Sequence, residues 1–195
     1  MKRLAILTGI LTLAAHVAVA QTSAQTTTWA SDPAHSEVDF SIKHLSVSNV
    51  HGRIGSVAAT IVLNDADITK STVTATIDVN TIDTGVAQRD THLKTPDFFD
   101  VAKFPTASFD STSVVKNGNK LTVTGNLTLH GVTKPVVLDV EGPSTPVPGR
   151  DNKLHSGLTA TTTISRTAFG IGPNFPAAMV GDDVKLTIEL EIVQQ

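Results

Sequence analysis

Hydrophobic and polar residues alternate along most of this chain with a period of two, the spacing at which side chains of an extended strand turn to opposite faces. At residues 37–43, Val38, Phe40 and Ile42 stand against Glu37, Asp39, Ser41 and Lys43. Residues 72–79 repeat the pattern with Val73, Ala75, Ile77 and Val79, and residues 121–129 with Leu121, Val123, Leu127 and Leu129. Val136, Leu138 and Val140 form another apolar face, and residues 184–192 set Val184, Leu186, Ile188, Leu190 and Ile192 against Lys185, Thr187, Glu189 and Glu191. Residues 106–115 and the Thr-rich residues 154–164 read as further strands. So does the less regular stretch 44–63, where Gly52 and Gly55 predict a bulge or a sharp bend. Such strands bury one face and wet the other. Turn signals separate them: Asp32-Pro33, residues 64–67, Asn117-Gly118-Asn119 and residues 130–135. Residues 142–149 hold Pro143, Pro146 and Pro148 and read as a long exposed loop, and residues 166–183 as a second irregular region.

Alternation stops at residues 84–105. Residues 86–94 read as a short helix, followed by an aromatic corner: Phe98, Phe99, Phe104 and Phe109 are four of the seven phenylalanines. Arg89 and His92, three apart, share a face of that helix, and Asp90 and Lys94 have the spacing of an i,i+4 pair. As residue chemistry alone, this segment is more simply a surface crossover whose rings fill core. Arg89 would then be ion-paired to Asp90 or another carboxylate. The count is about eight mainly antiparallel strands and one helical crossover, in one domain without internal repeats. Strands with one apolar face must close into a barrel or pack as a sandwich, and periodicity does not separate the two. The helix favours a barrel, since it can plug an open end. An eight-stranded barrel is about wide enough to hold one small ligand.

Residues 1–20 stand outside this pattern. Lys2 and Arg3 precede an apolar run at residues 4–15, and Ala18-Val19-Ala20 supplies small residues for cleavage before Gln21. This is the form of an export signal, and the run is too short for the roughly 20 residues of a membrane span. Removing residues 1–20 from 195 leaves 175, enough for one domain at 21–195, with a polar leader at residues 21–28. Loss of Lys2 and Arg3 takes the formal charge from −3 to −5, which argues against nucleic acid as a partner. The chain has no cysteine, which excludes a disulfide framework, a thiol nucleophile and an acylated N-terminal cysteine as anchor. Asn126-Leu127-Thr128 matches a glycosylation sequon but lies mid-strand, as a chance match would.

Catalytic chemistry finds little support. No G-x-S-x-G elbow, H-E-x-x-H or phosphate loop is present, and His92 and Asp90, two apart on a helix, point away from each other. No catalytic residue is assigned, and an enzyme acting on a lipid-like substrate stays as an alternative. The histidines after residue 20 (His35, His44, His51, His92, His130 and His155) have no tight ligand spacing, so no metal site and no cofactor are expected. A histidine-based metal protein is the weaker alternative.

Several stretches together resemble the YceI-like family: residues 29–40 (WASDPAHSEVDF), 89–99 (RDTHLKTPDFF), Lys103-Phe104-Pro105, 125–135 (GNLTLHGVTKP) and 165–170 (SRTAFG). They follow in the family's order across nearly all of residues 21–195. The resemblance implies an all-β fold with one short helical crossover: an eight-stranded antiparallel lipocalin-like extended β-barrel. It also implies an exported, periplasmic carrier or sequestering protein. The ligand would be an isoprenoid lipid, a quinone or polyprenyl phosphate, or another long-chain lipid, held in an apolar cavity. Carried over by residue, Phe40, Phe98, Phe99 and Leu129 would line the cavity or its mouth. Arg89 and His92 would meet a polar head group, with Arg166 and His35 as weaker candidates for the same role. The expected partner is the lipid itself, without nucleic acid or a stable membrane anchor. Pairing into a homodimer is left open.

Overall fold

The computed structural model describes residues 25–195; the expected export signal at residues 1–20 lies outside them. The strands are β1 (Thr26–Ser31), β2 (Glu37–His44), β3 (Ser48–Ile54), β4 (Val57–Asn64), β5 (Thr72–Asp78), β6 (Ile82–Asp83), β7 (Thr106–Asn117), β8 (Lys120–Leu129), β9 (Val132–Glu141), β10 (Val147–Pro148), β11 (Leu154–Ser165) and β12 (Val180–Gln194). The helix α1 (Ala87–Leu93) separates β6 from β7. Every ladder is antiparallel. Pairing runs β11-β9-β8-β7-β5-β4-β1-β12, and β12 returns to β11, so eight strands close on themselves. Closure leaves the eight-strand ring without a terminal strand, and only the two-residue strands β10 and β6 remain as sheet ends.

Three of these strands are broken and then resume. β12 pairs with β1 at residues 192–194 and with β2 over residues 180–189, so β1 and β2 are two halves of one wall strand. β4 and β3 stand beside them in the same way, and β5 and β6 follow. The breaks at residues 32–36, 55–56 and 79–81 therefore lie next to one another. Side chains and backbone stitch them: Ser31 Oγ donates to the Val57 carbonyl (2.7 Å), the Asp78 N–H to the Ser56 carbonyl (3.4 Å), and Thr81 Oγ1 to the Gly55 carbonyl (3.0 Å). The upper half of the barrel is thus walled by β2, β3 and β6, and the lower half by β1, β4 and β5.

The inward faces are the ones the alternation predicts. Trp29, Val38, Val57, Ala59, Ile61, Leu190 and Ile192 form one core cluster, in which Ile192 is 0% exposed. Val79, Phe98, Ala107, Leu129, Ile164, Phe169 and Ile171 form a second, under the upper end. Gly52 corrects one expectation. It sits in regular register opposite Phe40 rather than in a bulge. A Cβ there would come within 2.4 Å of the Phe40 ring, so the missing side chain lets the ring lie flat against β3. The real break falls at Gly55 and Ser56. The Pro-rich loop is also less free than its composition predicts: β10 pairs with β11, and Ser144 is hydrogen-bonded to Gly157 through both its backbone N–H and its Oγ.

Candidate functional site

The barrel encloses an apolar interior in two lobes. The upper lobe has a volume of about 360 Å³ and the lower about 150 Å³. Val38, Ile77, Leu127 and Leu186 line both, and form the waist between them. Phe40, Ile42, Val50, Ile54, Ala107, Leu129, Ile164 and Val184 continue the upper wall. Ile68 and Pro143 are among the residues bounding the lower lobe. The residues of the upper lobe that are exposed are Lys43, His44, His92 and Met179, and these mark its mouth.

Four apolar residues carried over from the family resemblance, Phe40, Phe98, Phe99 and Leu129, all line this upper lobe. So do Arg89 and His92, which α1 brings to the mouth. The local reason lies in residues 84–101. The Asp90 carboxylate accepts from the backbone N–H (2.9 Å) and hydroxyl (2.5 Å) of Thr84. Arg89 donates from Nε to Thr84 Oγ1 (2.7 Å) and from Nη2 to the Thr84 carbonyl (3.0 Å). Both charged residues therefore tie the helix back to the end of β6. Neither Arg89–Asp90 nor Asp90–Lys94 makes an ion pair, because Thr84 takes both side chains. After α1 the chain turns sharply, with the Phe99 N–H bonded to the Leu93 carbonyl (3.0 Å) and Val101 to Lys94 (3.1 Å). That turn drives Phe98 inward.

At the mouth, His92 Nε2 lies 3.1 Å from the Asp97 carboxylate. Its ring stands edge-on to Phe98 at 5.1 Å and to Phe175 at 6.0 Å, while Phe98 and Phe175 stack at 4.7 Å. Offset stacks and edge contacts are the favoured geometries of such rings. Phe175, in the irregular region before β12, was not among the residues carried over. Its one signal in sequence was a large ring inside a Gly- and Pro-rich segment.

Arg166 also borders the upper lobe, but its chemistry is spent. It is 3% exposed, and its guanidinium donates to five carbonyls: Gly181 (2.9 Å), Ile171 (2.9 Å), Gly172 (2.6 Å), Phe175 (2.6 Å) and Val180 (2.8 Å). A guanidinium has five N–H donors, so none is left for a head group. This corrects the expectation for Arg166: it holds the 171–181 loop, and with it Phe175, over the mouth. Burial lowers its pKa, against which the nearby Asp182 charge pulls it up. Asp182 is itself held below the usual carboxylate range, first by the hydroxyls of Ser165 and Thr167.

His35 is the second correction. It lies on the outer wall, in the break between β1 and β2, and takes no part in lining the cavity. Its Nδ1 is 3.0 Å from Asp32 and 3.8 Å from Glu191. The other Glu191 oxygen is 2.8 Å from Nδ1 of His155, whose Nε2 is 3.0 Å from Asp151. Asp32, His35 and Glu191 have donor atoms within 4.8 Å of one another, a set chemically able to hold a divalent cation. Here they are partnered with each other, and staple the break to β12. Hydrogen bonding to Asp151, then to Glu191, raises the pKa of His155; that to Asp32 raises His35. Asp32 is lowered by His35 and the Ala34 N–H, and Asp151 by His155 and the Lys153 N–H.

A closed antiparallel barrel with an apolar interior has the architecture of a lipocalin-like protein. The family model of the YceI-like domain matches residues 29–192, and the chain belongs to that family. It is similar to Protein YceI of Salmonella newport, 39% identical over 164 residues and 83% of either chain. Among solved structures it resembles Burkholderia cenocepacia BcnA (TM-score 0.72, 25% identity, 83% of this chain and 98% of that one). It also resembles a Campylobacter jejuni YceI protein (TM-score 0.70, 32% identity, 79% and 90%). A polyisoprenoid binding domain from Saccharophagus degradans shares the fold at 15% identity (TM-score 0.64, 87% and 99%).

Proposed function

We propose that this protein is an exported, periplasmic carrier or sequestering protein for an isoprenoid or other long-chain lipid, with no catalytic step. The observation that carries the reading is the upper lobe: about 360 Å³ walled by aliphatic and aromatic side chains, with its charged groups at the mouth apart from the buried, fully hydrogen-bonded Arg166. An apolar chain gains roughly 0.8 kcal/mol per buried methylene, so ten of them contribute about 8 kcal/mol before the cost of association. Burial of that size supplies binding free energy against the roughly 4–15 kcal/mol that association costs, and asks nothing of a nucleophile. Arg89 and His92 stand where a polar head would emerge. The waist of Val38, Ile77, Leu127 and Leu186 sets how far a tail descends. A short chain stops in the upper lobe, whereas a longer one must turn those side chains aside to enter the lower. The solved polyisoprenoid binding domain of the same fold and the YceI relatives support the reading.

The test is native mass spectrometry of protein purified without detergent, then extraction and identification of what it holds. A lipid near one per chain is expected. Protein that stays empty after incubation with quinones and polyprenols would overturn the carrier reading.

A further inference from the structure

Exposed apolar side chains border the opening of the cavity. Among the described residues eight large hydrophobic side chains are exposed, and four of them, Leu45, Val47, Val86 and Met179, belong to segments that frame the mouth. Leu45 and Val47 form the tip between β2 and β3, directly after the lining residues Lys43 and His44. Val86 immediately precedes α1, which carries Arg89 and His92. Met179 lines the cavity itself, and its carbonyl accepts the Leu45 N–H at 2.9 Å. The rim is therefore continuous with the wall of the lobe.

The tip breaks two rules at once. Leu45 and Ser46 have φ of 51° and 57°, the left-handed region that a tight hairpin ordinarily fills with Asn or Gly. Leu45 is 53% exposed and Val47 84% exposed. Aliphatic side chains held out in water on such a backbone gain no burial. Such departures collect at functional positions. Lys43 is exposed and Arg89 half-buried at the same mouth, with Asp97 paired to His92 beside them.

We propose that this rim docks on a lipid bilayer. Leu45, Val47, Val86 and Met179 enter the interfacial layer, and Lys43 and Arg89 face the phosphates of anionic lipids. The inference rests on the carrier reading, which supplies the occupant: a ligand that fits the cavity dissolves in a bilayer. A mouth held in the interface spares each methylene a passage through water. Four side chains are far short of the roughly 800 Å² per partner of a stable protein interface. They suit shallow, reversible insertion, whose strength follows apolar area plus attraction to anionic lipid. Among the described residues no helix is long and apolar enough to cross a membrane.

The experiment is co-sedimentation with vesicles of phosphatidylethanolamine and phosphatidylglycerol, compared with vesicles of phosphatidylcholine alone. The test variant is Leu45→Ser with Val47→Ser, neither of which lines the cavity; its fold is checked by circular dichroism. We expect the wild type to sediment, more so with the anionic vesicles. The variant should lose about tenfold in partitioning and in the rate of polyprenol uptake from vesicles. Farnesol, presented in solution and read by native mass spectrometry, should bind both proteins equally. Wild-type protein that stays in the supernatant, or a variant that sediments as well as wild type, would overturn the docking. So would a wild-type dimer in sedimentation velocity that the variant loses, since the patch would then join two copies. Failure of farnesol and polyprenols to bind either protein, with sedimentation intact, would instead remove the carrier reading and leave the docking standing.

Discussion

The lower and upper halves of the barrel share β12 and the same alternating code, yet one is packed more closely than the other. In the lower half Trp29, Val57, Ala59, Ile61, Leu190 and Ile192 meet across the wall, and the remaining space is about 150 Å³. In the upper half the wall strands are β2, β3 and β6, whose inner positions include Phe40 lying flat on Gly52. The space there, about 360 Å³, is closed over by rings hung from loops, Phe98 after α1 and Phe175 in the 171–181 segment. Strand side chains facing each other fill a barrel. Loop side chains arching over it leave a room. Hydrogen bonding follows the same division: the lower half is held by ladders, the upper roof by Arg166 and its five carbonyls.

The largest effect should come from the packed half. Ile192→Ala is expected to destabilise the fold by about 2–5 kcal/mol, measured by urea denaturation. Leu129→Ala, on the wall of the existing room, should lose less; equal losses would break the comparison. Arg166→Met should follow, at about 3 kcal/mol, because five carbonyls lose a charged donor. Hydrogen exchange should rise over residues 171–181 while β11 and β12 stay protected. Uniform acceleration would mean that the roof is not a separate element.

Filling the two rooms separately sharpens the contrast further. Ala107→Trp, in the upper lobe, should reduce lipid occupancy by about a hundredfold, with over-packing of about 1–3 kcal/mol. Ala75→Trp, in the lower lobe, should leave short prenols bound and exclude long ones. Native mass spectrometry over a series of chain lengths separates the two, and identical profiles would argue against a waist.

The smallest effect is expected from pH, at the outer staple. His155 and His35 have folded pKa values above the ordinary 6.5, so their contribution is complete below that value and is lost as pH rises through the raised pKa. Asp32 and Asp151 lie below the ordinary 3.8, so theirs is present above it and lost as pH falls through the lowered pKa. Melting of wild type and His155→Asn should differ most between about pH 4 and pH 6.5 and converge on either side. A gap that widens above neutrality would reverse the assignment.

The strands, their inner faces and the helix at residues 87–93 were legible because each depends on neighbours two to four positions away. Phe40, Phe98, Phe99, Leu129, Arg89 and His92 were legible as a group only through the family resemblance, since periodicity does not say which inner residues face a void. What the chain order hid is long-range. Glu191 meets His35 across 156 positions, and no local spacing announces that. Arg166 looked available because its acceptors are backbone carbonyls, which every residue has. Thr84, a small polar residue, outcompeted the carboxylate expected for Arg89.

The three adjacent breaks at residues 32–36, 55–56 and 79–81 act as a seam across the wall. Side-chain direction is reset at each, so a substitution or a slipped residue above the seam need not shift the register below it. Side chains at one end of the barrel can thus be exchanged without re-registering the strands at the other.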